Sequence, residues 1–366
     1  MHGRLPALRL HGVVNDVTSP SSARLAADEL PATLEPILRS RIPGAGDATI
    51  TNWSPTERGF STETFLFDVT GIEGDEPSLG LVFRRPPEFA ILPDYDLRRQ
   101  FLAMQRLGPS PVPVPRVRWI DAESDALGTP YFIMDRIDDV ISVSDYPPYH
   151  QTGIFADTDD AGRATLWNEC LDIIATVHQL DPTEYRLGFL DLAATGQTQP
   201  KRLANFLRYA MTWAVGDAPM KPTFARALDW LDSHLYTPER VTLCWGDARM
   251  SNVLYRADHR AVAALDWEIA YLGDPEADLA WMFMTDWVSS PLENRALAPG
   301  TPDREETIER YERLTGHRVR NMRFSDVTAA LLLAIPLIRL NERLNLQDVD
   351  LAEICAQRVD LVLTGG

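Results

Sequence analysis

An α+β fold of two unequal lobes is predicted for this chain, a small β-rich N-terminal lobe and a larger, mostly helical C-terminal lobe. Three observations predict it. The 366 residues exceed what one ordinary hydrophobic core fills. Strand-like apolar runs and hairpin turns crowd the chain up to about residue 135, and beyond it the apolar residues recur at helical spacing. A single stretch, around Val241 to Trp267, interrupts those helices with short strands. The composition shift after Tyr131-Phe132-Ile133-Met134 places the lobes at residues 1–137 and 138–366.

Residues 1 to about 25 read as a polar leader, and the apolar spacing over Leu30 to Ile42 predicts a short helix ended by Pro43-Gly44. Phe65-Leu66-Phe67-Asp68-Val69 and Leu79-Gly80-Leu81-Val82-Phe83-Arg84, parted by a turn rich in Gly, Glu and Pro, predict a hairpin. Leu97, Phe101, Met104 and Leu107 share one helical face until Gly108-Pro109 stops the pattern. A connection punctuated by Pro109, Pro111, Pro113 and Pro115 leads to further strands. In the second lobe, Leu166, Cys170, Ile173, Ile174 and Val177 mark a long amphipathic helix closed by Asp181-Pro182. Helical patterns follow at 201–213, 224–235, 305–314 and 324–344. A cleft between a β-rich front and a helical back is a favoured ligand site.

The composition excludes several classes of function. With 45% hydrophobic and 24% charged residues the chain is a folded globular one. Its 53 acidic against 35 basic residues give a net charge of −18, which repels nucleic-acid phosphates and anionic membranes, so neither is an expected partner. Cys170, Cys244 and Cys355 are odd in number and far apart, which speaks against a disulfide framework and for a reducing, cytoplasmic setting. Between Leu5 and Val17 a signal-like apolar run is broken by Pro6, Arg9, His11, Asn15 and Asp16. The most apolar segment, Ala329 to Ile338, contains Pro336 and falls short of the roughly 20 residues that span a bilayer. A soluble protein is expected.

The chemistry lies in Trp245-Gly246-Asp247-Ala248-Arg249-Met250-Ser251-Asn252, followed by Ala264-Leu265-Asp266-Trp267-Glu268. Asp247 and Asn252 flank a turn into the strand Val253 to Tyr255, and the next strand delivers Asp266 nearby. That spacing suits phosphoryl transfer, in which one carboxylate takes the acceptor hydroxyl proton while an amide and a second carboxylate hold Mg²⁺ on nucleotide phosphates. Turn-capping and strand-ending roles are the plain alternative, and three such side chains together speak against it. Arg249, two residues beyond Asp247, can neutralise charge on the transferring group or on the acceptor. His and Cys residues lack zinc spacing, and a Gly-x-Ser-x-Gly hydrolase segment is absent.

From about residue 30 to 345 the chain resembles the aminoglycoside phosphotransferase family of small-molecule kinases. Its nearest resemblance is to the branch related to the kinase-like domains of acyl-CoA dehydrogenase proteins. The resemblance implies a two-lobed protein-kinase-like fold, ATP or GTP as co-substrate and Mg²⁺ as cofactor. By it Asp247 is the catalytic base, Asn252 and Asp266 are metal ligands, and Asp278 in Gly273-Asp274-Pro275-Glu276-Ala277-Asp278 steadies the catalytic loop. Ser61 and Thr62, in Arg58 to Thr64, match the loop that covers the nucleotide. Backbone groups near Met134 and Arg136 match the hinge that pairs with adenine. Arg84 stands where the family has its phosphate-binding Lys, with Arg85 as the alternative one residue on. The chain departs from the family pattern at Trp245, usually His, and at Gln100, usually the Glu that pairs with the Lys.

The expected function is transfer of a γ-phosphate from ATP or GTP to a hydroxyl of a small molecule. The acceptor is expected not to be a conventional aminoglycoside. The acidic stretch from Asp139 to Asp160, with no Lys or Arg, favours polycations, yet Arg249 lies inside the catalytic loop, where a cation repels an amino-sugar and suits a carboxylate or phosphate. The rival reading is a catalytically silent nucleotide-binding protein, which Trp245, Arg84 and Gln100 together favour.

Overall fold

The computed structural model describes residues 24–56, 61–74, 77–123 and 126–365. The polar leader lies outside the described residues. Helix α1 (Leu30–Arg41) precedes three strands, β1 (Thr49–Pro55), β2 (Glu63–Thr70) and β3 (Ser78–Arg85). Then come α2 (Leu97–Leu107), β4 (Val117–Asp121) and β5 (Tyr131–Asp135), and the five strands form one antiparallel sheet in the order β1-β2-β3-β5-β4. The predicted hairpin is β2 and β3, with Phe65 opposite Phe83. Strand β1 escaped the sequence reading because Thr49-Ile50-Thr51-Asn52-Trp53-Ser54-Pro55 has little apolar alternation and its backbone is mostly exposed.

Alternation along β3 decides which side chains reach the cleft. Leu81 and Phe83 point to one face, where they pack with Phe65, Phe67, Tyr131, Ile133 and the buried face of α1, Leu30, Leu34 and Leu38. Val82 points to the other face with Phe132 and Met134, against Leu97, Phe101 and Met104 of α2. Arg84 follows Val82 and Arg85 follows Phe83 to these opposite faces.

The helical lobe begins with β6 (Ile141–Ser142), α3 (Ile154–Asp157), α4 (Asp160–Gln179), α5 (Gln199–Val215) and α6 (Pro222–Ser233). Four short strands follow, β7 (Thr242–Cys244), β8 (Val253–Tyr255), β9 (Ala261–Ala264) and β10 (Tyr271–Gly273). They make a β6-β8-β9 sheet and a β7-β10 pair, which carry the catalytic segment between them. The chain closes with α7 (Glu276–Ser289), α8 (Arg304–Thr315), α9 (Met322–Arg343) and α10 (Glu353–Thr364). Helix α9 runs through Pro336 and is, by length and apolarity alone, long enough to cross a membrane, but 56% of its apolar window is buried inside the protein. It packs on α5, α7 and α10 as a core helix.

Candidate active site

The backbone of the catalytic segment is held by one buried carboxylate. Asp278, in the first turn of α7, accepts from the Trp245 N–H at 2.6 Å and the Gly246 N–H at 2.9 Å. The same carboxylate lies 3.0 Å from His178 Nε2 on α4, whose Nδ1 is 2.8 Å from the Tyr311 hydroxyl on α8. All three side chains are buried. Gly246 is required here, since its φ is +88° and a Cβ would lie 2.4 Å from the Ile269 carbonyl oxygen. Trp245 replaces the family histidine yet still supplies a hydrogen bond, from its indole N–H to the Leu265 carbonyl at 2.8 Å, while stacking on Trp267.

On this backbone the Asp247 carboxylate is clasped on one oxygen. The Trp281 indole N–H donates to Oδ1 at 2.8 Å, and Arg249 Nε lies 2.9 Å from the same oxygen. Burial raises the Asp247 pKa, the Arg249 charge opposes that, and Asp266 adds to it. Arg249 also reaches Asp145 at 2.8 Å. Burial alone would depress the guanidinium, but the Asp247, Asp145 and Asp266 charges outweigh it, so Arg249 stays cationic. Asn252 is buried and its Nδ2 donates to the Asp247 carbonyl at 3.0 Å, which turns its Oδ1 away. Asp266 sits at φ +54°, a left-handed position that costs a non-glycine residue about 1 kcal/mol or more. Its buried Oδ1 makes no hydrogen bond of ordinary geometry. The Asn252 amide oxygen and the Asp266 carboxylate are hard donors that fit Mg²⁺.

Across the cleft, Arg84 Nη2 lies 2.6 Å from Asp266 Oδ1. Its side chain is only 8% exposed, and the charges of Asp266, Tyr95 and Glu268 overcome the burial that would lower its pKa. Arg85 points the other way and is taken by Glu63 at 2.7 Å and the Leu25 carbonyl at 2.8 Å. Of the two candidate cations, geometry puts Arg84 in the cleft. Gln100 on α2 is fully buried, and neither its amide nitrogen nor its amide oxygen has a partner. Arg84 pairs with Asp266 and not with Gln100.

Residues 57–60 of the expected phosphate-covering loop lie outside the described residues. Within its described part, Thr62 is buried and its hydroxyl spans the lobes, 2.8 Å from the Tyr95 hydroxyl and 3.2 Å from Glu268 Oε2. Ser61 also hydrogen-bonds Glu268, whose pKa is pushed up to about 7 by burial and then by Asp266, against the pull of Arg84. Met134 packs in the core and pairs with both Val82 and Val117 in the sheet. The Arg136 N–H donates to the Gly80 carbonyl at 3.0 Å. Its guanidinium bridges Asp68 and Asp138, both at 2.6 Å, and staples β2 to the segment after β5.

Four residues at the site escaped the sequence reading. Trp281 follows Asp278 by three positions, one helical turn, so its neighbourhood to the loop anchor was visible in the spacing. Glu268 stands two residues from Asp266, a signal as plain in the sequence. Tyr95 and Asp145 arrive through long-range packing and leave no local sign.

With the geometry in view, comparisons identify the fold and family. A protein from Ralstonia eutropha JMP134 assigned to the aminoglycoside phosphotransferases superposes with a TM-score of 0.67 at 20% identity, covering 90% of this chain and 98% of that one. A thermostable aminoglycoside phosphotransferase in ternary complex with ADP and hygromycin B superposes with a TM-score of 0.56 at 18% identity, over 91% and 99% of the two chains. Both share the two-lobed kinase-like fold. Acyl-CoA dehydrogenase family member 10 of Mus musculus is 27% identical over 57% of this chain, and family member 11 of Rattus norvegicus is 25% identical over 78%. The matches span only 19% and 35% of those relatives' lengths. The family model of the phosphotransferase enzyme family matches residues 52–313, more than half the chain, and the protein belongs to that family.

Proposed function

We propose that this phosphotransferase moves the γ-phosphoryl group of ATP or GTP to a hydroxyl of a small acceptor that is not a conventional aminoglycoside. In this reading the nucleotide lies against the front lobe (1–137) with Arg84 on its phosphates, and residues 138–366 hold the acceptor. The carrying observation is the Asp247 carboxylate, held on one oxygen by Trp281 and Arg249 and close enough to Asp266, the partner of Arg84, to feel its charge. A protein that only senses nucleotide needs no carboxylate so held. Asp247 accepts the hydroxyl proton and aligns the oxygen, and Arg249 offsets the negative charge beside it. Bound by Asn252 and Asp266, Mg²⁺ would screen the phosphate charge.

Arg249 supports the acceptor class. Its Nε and Nη1 are engaged by Asp247 and Asp145, while Nη2 makes no hydrogen bond among the described residues. A guanidinium edge beside the base repels an amino-sugar cation and suits a carboxylate or phosphate. The resemblance to acyl-CoA dehydrogenase relatives favours hydroxylated acids or their thioesters. The ternary complex of the related fold holds an aminoglycoside, hygromycin B, so the two acceptor classes are to be compared directly. The test is a screen of hydroxy acids, their thioesters and kanamycin-like compounds with Mg–ATP and Mg–GTP. Turnover of kanamycin-like compounds at kcat/KM within about 10⁴–10⁸ M⁻¹s⁻¹ would overturn the acceptor class. No phosphate transfer to any hydroxyl would favour the silent nucleotide-binding reading.

A further inference from the structure

We infer that Trp281 is a positioning residue for phosphoryl transfer, whose indole N–H sets the rotation of the Asp247 carboxylate so that Oδ2 is presented to the acceptor hydroxyl. The inference rests on the reading of Asp247 as the base. The Cβ–carboxylate bond of an aspartate is a soft, roughly two-fold torsion, so without fixed donors its two oxygens sweep a broad range of directions. Here the Trp281 indole N–H donates to Oδ1 at 2.8 Å, while Arg249 Nε lies 2.9 Å from the same oxygen as an ion pair without hydrogen-bond geometry. Asn252 also touches this residue, through a hydrogen bond to its carbonyl oxygen and a further interaction of its amide with the carboxylate. Oδ2 carries neither the indole nor the guanidinium.

The two groups at Oδ1 have different parts. Arg249 brings charge, and it is shared with Asp145. The indole brings direction alone, being a neutral donor that accepts nothing and does not titrate. Trp281 is buried on α7, and its place there is fixed by the same helix turn that carries Asp278. One turn of α7 thus holds the loop backbone through Asp278 and the base side chain through Trp281, so the carboxylate is oriented relative to the loop that presents it.

The test uses the whole protein and Mg–ATP, with water as the acceptor and ADP release as the readout, so that no acceptor need be known. Trp281→Phe keeps a buried ring and removes the N–H. Turnover is expected to fall about 10- to 100-fold, the scale for misplacing a reacting group, with Mg–ATP affinity and melting temperature close to wild type. In the Asp247→Asn background, which itself should abolish most turnover, Trp281→Phe is expected to add nothing, because the group it positions is gone. Wild-type turnover in Trp281→Phe, beside a crippled Asp247→Asn, overturns the role of Trp281 and leaves that of Asp247 standing. Full turnover in Asp247→Asn overturns the base itself. Should Trp281→Phe fail to fold, Trp281→His and Trp281→Leu carry the same contrast. Higher turnover in the His variant, which keeps a ring N–H, supports the inference, and equal turnover refutes it.

Discussion

Replacing Arg84 by Ala should weaken Mg–nucleotide binding, whereas Arg85→Ala should leave it alone, although the two are neighbours on one strand. Strand alternation sends Arg84 into the cleft beside Asp266 and Arg85 to the α1 face beside Glu63. A hydrogen bond from a charged donor contributes about 1.5–3 kcal/mol, so the dissociation constant should rise roughly 10- to 150-fold in Arg84→Ala. The same variant leaves Asp266 and Glu268 without their shared cation. Removing one partner of a buried pair costs roughly 3–5 kcal/mol, so a lowered unfolding midpoint should accompany the binding defect. Arg85→Ala should cost stability alone, through Glu63 and the Leu25 carbonyl. Titration calorimetry with Mg–ATP and urea unfolding on both variants separates these effects. An equal or larger loss of affinity in Arg85→Ala would refute the assignment of Arg84 to the phosphates.

Asp266→Ala should abolish the Mg²⁺ dependence of nucleotide binding, and calorimetry showing the same dependence as wild type would remove Asp266 from the metal ligands. Glu268→Gln should stabilise the protein in EDTA at pH 8 by on the order of 1–2 kcal/mol, after allowance for partial exposure. The sign follows from a folded-state pKa pushed up to about 7 from an ordinary 4.5: the native state holds the proton more tightly, so stability falls as pH rises between those values. The gain should therefore shrink at pH 5.5, and an undiminished gain there would rule out ionisation as its source. Gly246→Ala should lower the melting temperature, since backbone strain of about 1–3 kcal/mol adds to the collision with Ile269. An unchanged melting curve would show that the loop is not held as described.

The lobes were legible in the sequence where patterning and burial agree. Phe65 to Val69 and Leu79 to Arg84 alternate because one face lies against α1, and their register follows. Strand β1 and helix α10 were not foreseen; β1 is mostly exposed and so lacks an alternating apolar pattern. At the site, Asp247, Asn252 and Asp266 stood out by their spacing around a turn and short strands, and Asp278 through the family resemblance, its bonds spanning 32 and 33 positions. At Arg136 nothing in the sequence signalled the hydrogen bond its N–H makes to Gly80. The partner of Arg84 was equally hidden. The Gln100 amide is unpartnered, and only the fold shows that Arg84 pairs with Asp266.

The Asp278 anchor also governs the order in which a newly made chain acquires its parts. Its acceptor oxygens lie 32 and 33 positions beyond the N–H groups they hold, an interval of roughly 2–6 s at typical rates of synthesis. During that time the catalytic segment has emerged without its clasp, and the β-rich lobe has no organised surface opposite. The Tyr311 end of the chain of contacts comes later still, 133 residues after His178. The Asp278 contacts that fix the loop can therefore form only after the helices that follow it have been made.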